Sequence, residues 1–364
     1  MRLTWGTVES VERVSEDLQE LRVAVDNGIA LAICYPALTG ACDPGDEVLL
    51  NTTAVDLGLG TGGAHFVVAR APSPGTPSAV DRPSGGHIMK LRYTPLQLDV
   101  VAVEEQASGS HEIMADAVDV AGMPVACCGL HSQVPLVAAA VKSLDHSLKV
   151  AYVMTDFAAL PLALSRMVRE SVAAGLIDTT ISSGQAFGGM YEAVNVHSAL
   201  LAARHVAYAD VAIVGIGPGV VGTATPFGHG GVAQGEAINA AAAVGARPVA
   251  TLRISLADER ERHRGVSHHT LTALTSIALA RALVAVPRPP TALESKFAQI
   301  EDALRRARVW DRHARYDAPP LVPDLRGLSV ASMGRGPGQD PAFFVAAYAA
   351  GQACVALLTG AANL

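Results

Sequence analysis

Hydrophobic and polar positions change their rhythm partway along the chain. Up to about residue 71 the apolar runs are short and broken by turn residues. The stretch "LRVAVDNGIALAIC" is two such runs joined through Asn27-Gly28, which tolerate positive φ, and it predicts a tight hairpin. "CDPGDEVLLN" and "AHFVVAR" predict further strands. Several short strands without a helix point to a small β-barrel or sandwich. Residues 71–86, "APSPGTPSAVDRPSGG", are too rich in Pro, Ser and Gly to form a packed element and are expected to be an exposed loop. "GHIMKLRYTPLQLDVVAVEE" returns to a strand-like pattern and closes a β-rich domain at about residue 105.

From about residue 110 apolar runs alternate with helical patterns. "MPVACCGL" precedes "QVPLVAAAVKSL", and "KVAYVMT" precedes "ALPLALSRMVRESVAAG". "TTISSG" leads to "NVHSALLAARHVA", "DVAIVGI" to "GVAQGEAINAAAAVG", and "RPVATLRIS" to "TLTALTSIALARAL". Leu160, Leu164, Met167 and Val168 share one helical face. The strands are continuous apolar runs, as expected when both faces of a parallel sheet are covered. Residues 106–364 are therefore expected to form a three-layer, Rossmann-like α/β domain with a mostly parallel sheet. A charged helix, "ESKFAQIEDALRRARVW", a short strand, "LSVASM", and an apolar helix, "PAFFVAAYAAGQACVALL", complete it.

Composition narrows the function classes. The chain is 50% hydrophobic and 17% charged, enough to bury a large core in two domains. A net charge of −7 offers no global attraction to nucleic acid or anionic membranes, and neither is expected as a partner. Five cysteines without a CxxC argue against a disulfide framework or structural zinc. Cys127 and Cys128 read as core residues on alternate faces of a strand. The N-terminus lacks an apolar signal core, so a cytoplasmic protein is expected. The Ala- and Gly-rich terminal helix carries Gln352 and lacks basic flanks, which favours a buried or homodimer-interface helix over a membrane span.

Ligands of open parallel sheets bind beyond the carboxyl ends of the strands. Successive strand ends here offer His131 and Ser132, then Thr155 and Asp156, then Gln185, then the glycines of "GIGPGVVGTATPFGHGG". The fifth offers "ERERHRGVSHHT", with three arginines and three histidines in one connection. Gly217, Gly219 and Gly222 match GxGxxG, but no helix opens at once and the next strand ends in Arg253-Ile254-Ser255 without an acid. NAD(P) is therefore not expected. Backbone N–H groups with the Thr223 and Thr225 hydroxyls could cradle an anion, or the glycines could serve a tight connection. Arg260, Arg262 and Arg264 are forked donors for phosphate or carboxylate, or solvated residues balanced by Asp258, Glu259 and Glu261. Ser267 is a plausible N-cap, which places His268 and His269 in a first helical turn whose dipole favours neutral imidazoles.

Asp156, His131, His263 and His268 are the candidates for proton transfer. Asp156 could equally cap a helix. A divalent metal would find its ligands among His131, Asp156, His268 and His269. His268 and His269 lie about 100° apart around a helix axis, so only one is expected to face a shared ion. Glu192 and Asn195 either reach the same crevice or belong to a first helical turn. No GxxxxGK[ST], HExxH or GxSxG is present, which counts against P-loop NTPases, zincins and ordinary α/β-hydrolases.

"LLNTTAVDLGLGTGGAHFV", "GHIMKLRYTPLQ", "AYVMTDFAALPLALSRMVRE", "GPGVVGTATPFG" and "ADERERHRGVSHHT" together resemble, over nearly the whole chain, a bacterial family labelled a domain of unknown function. The resemblance implies a bacterial protein of this length, with residues 71–86 as a surface insertion, and supplies no activity. The residues themselves lead to an enzyme acting on a small anionic metabolite. The rival reading is a noncatalytic nucleotide- or metabolite-binding module that docks a partner protein.

Overall fold

The computed structural model describes residues 1–59, 62–72, 85–289 and 291–364, with the side chain of 292 set aside. The segment expected as an exposed loop at 71–86 lies largely outside them. The chain divides into two compact units, Met1–Val101 and Ala102–Leu364.

The first unit is a closed five-stranded barrel in the order β1-β2-β3-β5-β4. Its strands are β1 (Leu3–Ser15), β2 (Leu18–Val25), β3 (Gly28–Cys34), β4 (Glu47–Asn51) and β5 (Ala64–Arg70). All neighbours are antiparallel except β3 and β5. This order is that of OB-type barrels, a likeness of topology that carries no function by itself. The Asn27-Gly28 hairpin joins β2 to β3 as its residues predict, with Gly28 at φ 122°. Alternation decides the interior: Val8, Leu21, Val23, Ala32, Val48, Leu50 and Val67 point inward and are buried. Two one-turn helices, α1 (Pro36–Thr39) and α2 (Thr53–Asp56), interrupt the strands, and a ribbon of β6 (Ile88–Lys90) and β7 (Leu98–Val100) follows.

The second unit begins with a short helix, α3 (His111–Asp116), and is built on an eight-stranded sheet. Its strands are β8 (Pro124–Cys127), β9 (Val150–Thr155), β10 (Thr179–Ser183), β11 (Tyr191–Ala193), β12 (Val211–Ile216), β13 (Arg247–Ala250), β16 (Leu283–Pro287) and β17 (Ala314–Ala318). Between β13 and β16 a two-stranded ribbon pairs β14 (Ile254–Ser255) with β15 (Gly265–Val266). The sheet order is β11-β10-β9-β12-β8-β13-β16-β17, and every pairing is parallel.

Right-handed crossovers then assign the helices to faces. α4 (Val134–Leu144) and α5 (Arg166–Ala173) connect strands toward the β11 edge and pack on one face. α6 (Val196–His205), α7 (Ala233–Ala243) and, after the short α8 (His268–Thr272), α9 (Glu294–Arg306) connect toward the β17 edge and pack on the other. Consecutive strand residues serve opposite cores: Val125 and Cys127 one, Ala126 and Cys128 the other. Doubly covered strands need apolar side chains at every position, which is why they are continuous apolar runs.

The terminal α10 (Pro341–Leu358) lies along α4 and the sheet. It is long and apolar enough to cross a membrane, yet 78% of it is buried inside the protein. A Cβ at Gly351 would stand 2.5 Å from the Val137 carbonyl, so the glycine lets the two Ala-rich helices approach closely.

Several elements differ from the pattern-based expectation. The predicted helix over Leu160, Leu164, Met167 and Val168 is broken: Leu162–Leu164 form a 3₁₀ turn, and Ser165 caps a helix that starts only at Arg166. "RPVATLRIS" is divided between β13 and β14. "TLTALTSIALARAL" holds the last three residues of the five-residue α8, a π-turn at Ala273–Ile277 and the entry to β16. "LSVASM" forms no strand of the sheet. Propensity and periodicity over so few residues yield to the pairing that the sheet offers.

Candidate functional site

Because the sheet is parallel throughout, the segments after β8, β9, β10, β12 and β13 all leave from one edge. A cleft of about 260 Å³ opens there, at the ends of β9 and β10. Thr155 and Asp156 line it from β9, Ser183 from β10, Asn195 from the start of α6, and Ala233 and Glu236 from α7. Asp156 accepts the backbone N–H of Gln185 at 2.8 Å, so these two predicted residues meet through the main chain of Gln185. Burial, and then the charge of Asp156, raises the pKa of Glu236 above the ordinary carboxylate value. Asn195 caps α6, accepting from the N–H groups of His197 and Ser198 at 2.9 and 3.1 Å. Glu192 lies on β11 and accepts from Gly188 N–H at 2.7 Å.

The glycine-rich connection after β12 is a small hairpin. Gly222 bridges His229, and Thr223 N–H donates to Gly228 O at 2.9 Å. The hydroxyls of Thr223 and Thr225 lie 3.0 Å apart and bond within the turn, to Gly228 O and from Gly228 N–H. Both hydroxyls therefore help to hold the loop. Gly217 has a packing reason: a Cβ there would stand 2.4 Å from the Ala159 carbonyl. Gly219 takes φ 93°, which only glycine adopts readily. Thr272 Oγ1 ties the hairpin to α8 through Pro226 O at 3.1 Å.

What the hairpin presents is His229. With three other imidazoles it makes a cluster of four. The rings of His229 and His269 stack with centroids 3.8 Å apart and planes 8° apart. His268 lies 4.4 Å from His269 and 5.2 Å from His229, and His263 lies 4.8 Å from His269. A Cβ at Gly231 would come within 2.8 Å of His269 Cβ and 3.0 Å of His229 Nδ1, so a bare backbone is what lets the rings close up. One ligand-capable atom each of His229, His268 and His269 lies within 4.8 Å of the others. His268 and His269 thus face a common point, against the expectation that only one would. At a helix start each side chain still turns freely about χ1, and His229 comes to both from outside the helix.

All four are kept neutral. Burial lowers the pKa of His229, His268 and His263, the last to about 3, and it lowers His269 furthest. Neighbouring imidazoles and Arg253 add to the effect. Neutrality was expected from the helix dipole, but loss of solvent is the larger cause. His229 Nε2 donates to Pro226 O at 3.0 Å, leaving Nδ1 as a bare acceptor. His229 Nδ1 and His268 Nε2 are both buried and have no hydrogen-bond partner among the described residues.

The arginines beside this cluster are mostly committed elsewhere. Arg260 forks both oxygens of buried Asp258 at 2.9 Å each, and Arg335 reaches the same carboxylate at 3.3 Å. The bonds from Arg260 hold the Asp258 carboxyl far below its ordinary value. Buried Arg253 reaches His269 Nδ1 at 3.3 Å, and its pKa is lowered to about 10 by burial and by Arg260. Arg264 donates to the carbonyls of Asp258 and Glu259. Arg260 and Arg264 are therefore internal fasteners rather than free donors. Arg262, which is exposed, makes no hydrogen bond or ion pair among the described residues.

His131 belongs to a different setting. Its Nδ1 meets Ile216 O at 3.0 Å and its Nε2 meets Ser165 Oγ at 2.6 Å. Tyr152 closes over it, with Oη 3.3 Å from Nδ1. Burial lowers its pKa to about 4. Both ring nitrogens are engaged, so His131 joins the β8, β12 and α5 segments and is not among the gathered histidines. Asp156 likewise lines the cleft rather than the cluster.

His229 and Glu236 were not singled out from the sequence. His229 had a signal, a lone histidine set among glycines in "FGHGG". Glu236 had none, because one carboxylate in a helix is ordinary until the strand opposite it is known.

A barrel unit followed by a doubly wound α/β unit, with polar chemistry gathered at the carboxyl edge of the sheet, defines the class of architecture. Residues 31–351 match the family described as "Protein of unknown function (DUF3866)", and the chain belongs to that family. No curated protein and no solved structure matches the chain.

Proposed function

We propose that the protein is an enzyme that acts on a small polar metabolite in the cleft at the ends of β9 and β10. The observation that carries this reading is the pairing of Asp156 with Glu236 on the cleft walls. Two carboxyl groups in unequal surroundings are the means by which one fold holds an acid and a base together. Glu236, with its raised pKa, is the proton donor, and Asp156, held by Gln185 N–H, is the acceptor. The acidic walls also refine the expected substrate. The end that enters the cleft is neutral or cationic, a hydroxyl or an amine. A phosphate or carboxylate on the same molecule stays outside the cleft.

The test is to identify a metabolite that copurifies with the full chain by mass spectrometry, then assay its conversion. Asp156→Asn and Glu236→Gln should each lower kcat about 100-fold or more while the protein still binds. Binding without turnover in the unaltered protein would favour a noncatalytic binding module instead.

A further inference from the structure

We infer that His229, His268 and His269 form a binding site for a late divalent transition ion of the zinc class. The site is separate from the Asp156 and Glu236 pair, and the inference does not rest on the cleft's being catalytic. Its basis is the state of individual nitrogens. His229 donates from Nε2 to Pro226 O, so its buried Nδ1 can only accept. His268 Nε2 is buried and has no partner among the described residues. A buried polar atom left without a partner calls for a ligand or a reason. At His229 Nδ1 an aprotic anion does not answer, because it cannot bond to a lone pair. A cation with directional coordination does.

Geometry and ligand chemistry agree. Three nitrogens lie within 4.8 Å of one another, against about 3.3 Å between ligands in tetrahedral zinc, and because the His229 and His269 rings stack nearly parallel, one of them must turn out of the stack to aim its lone pair at the shared ion. The Pro226 carbonyl on the far nitrogen of His229 is the kind of outer contact that fixes the orientation of a metal-bound imidazole. Three neutral imidazoles without a carboxylate suit zinc, cobalt, nickel or copper and not magnesium or calcium. Three protein ligands leave one tetrahedral position open, the arrangement of catalytic rather than structural zinc. Arg253 opposes a nearby cation, and binding must break its 3.3 Å contact with His269 Nδ1 whichever ring nitrogen the metal takes, because coordination through Nε2 puts the proton on Nδ1. Asp258, 3% exposed and 3.8 Å from Arg253, offsets the opposing charge.

The experiment uses the full chain, stripped with a chelator and then dialysed against Zn²⁺ or Co²⁺ alone. Elemental analysis should find one ion per chain, and Co²⁺ should give the intense visible bands of a four-coordinate site. His229→Ala and His268→Ala should each weaken Zn²⁺ binding at least about 100-fold, since loss of a ligand exceeds loss of an outer contact. His197→Ala, on the exposed side of α6, should bind as the unaltered protein does. Circular dichroism of the metal-free variants separates lost binding from lost folding. The titration of unaltered protein with Co²⁺ requires no variant. Absence of a stoichiometric ion in unaltered protein, or undiminished binding in folded His229→Ala, overturns the inference.

Discussion

His131 and His229 stand beyond two neighbouring strands of one sheet and are almost equally buried, 6% and 4% exposed. Burial disfavours the charged form of both. Their bonding differs. His131 uses both ring nitrogens on protein groups, whereas His229 uses one and keeps the other bare. His313, on the far side of the sheet, resembles His131, accepting from Ala282 N–H and donating to Leu274 O. What separates a histidine that fastens a fold from one that can take a ligand is thus the count of satisfied nitrogens, not depth.

That contrast can be broken by mutation. His131→Ala should cost the most, about 4 kcal/mol, because it opens a cavity, removes the acceptor of the Ser165 hydroxyl and leaves the Ile216 carbonyl with Tyr152 Oη alone. Urea unfolding measures it, and a loss below about 1 kcal/mol would remove the distinction. The pH dependence comes next. The folded pKa of His131, about 4, lies below the ordinary 6.5, so the unfolded chain binds the proton more readily. Its contribution is complete above pH 6.5 and is lost as pH falls toward 4, on the order of 3 kcal/mol. The histidine cluster and His313 shift in the same direction. A plot of unfolding free energy against pH should therefore fall on the acid side, and His131→Gln should flatten part of that fall.

Arg260→Ala should cost about 2 kcal/mol, less than a fully broken buried pair, because Arg253 and Arg335 remain beside Asp258. His229→Ala in metal-free protein should cost less than His131→Ala, about 2 kcal/mol, because it too leaves a cavity but breaks only the hydrogen bond to Pro226. A loss equal to that of His131→Ala would mean that His229 is a fastener too. Arg262→Ala should be nearly silent, within about 0.5 kcal/mol, by thermal melting.

Much of the fold was legible because its signals are local. Asn27-Gly28 makes its turn whatever surrounds it, β8 and β12 are apolar at every position, and β9 is apolar up to Thr155. The carboxyl-edge loops could be ordered from the same alternation. What escaped is what depends on distant partners. β16 is a short run that becomes a strand on the edge that β13 offers, and β17 does so on the edge of β16. Thr223 and Thr225 turn their hydroxyls on Gly228 only once the hairpin closes. Arg260 looks free until Asp258, two residues earlier, turns back on it. His229 lies far from His268 in sequence, and only the folded hairpin brings their rings together.

The placement of α10 bears on how the molecule comes into being. It covers β8, β13, β16 and β17 and nests on α4 at Gly351, yet it follows all of them along the chain. A ribosome reading in order exposes the inner face of the sheet and the Ala-rich flank of α4 well before their cover exists. Closure must wait for a contact of long sequence separation, which slows folding. The nascent chain is then a client for chaperones until residues beyond Pro341 emerge. Stopping translation ahead of Pro341 should leave a ribosome-bound intermediate that binds hydrophobic dyes, and synthesis through Leu358 should discharge it.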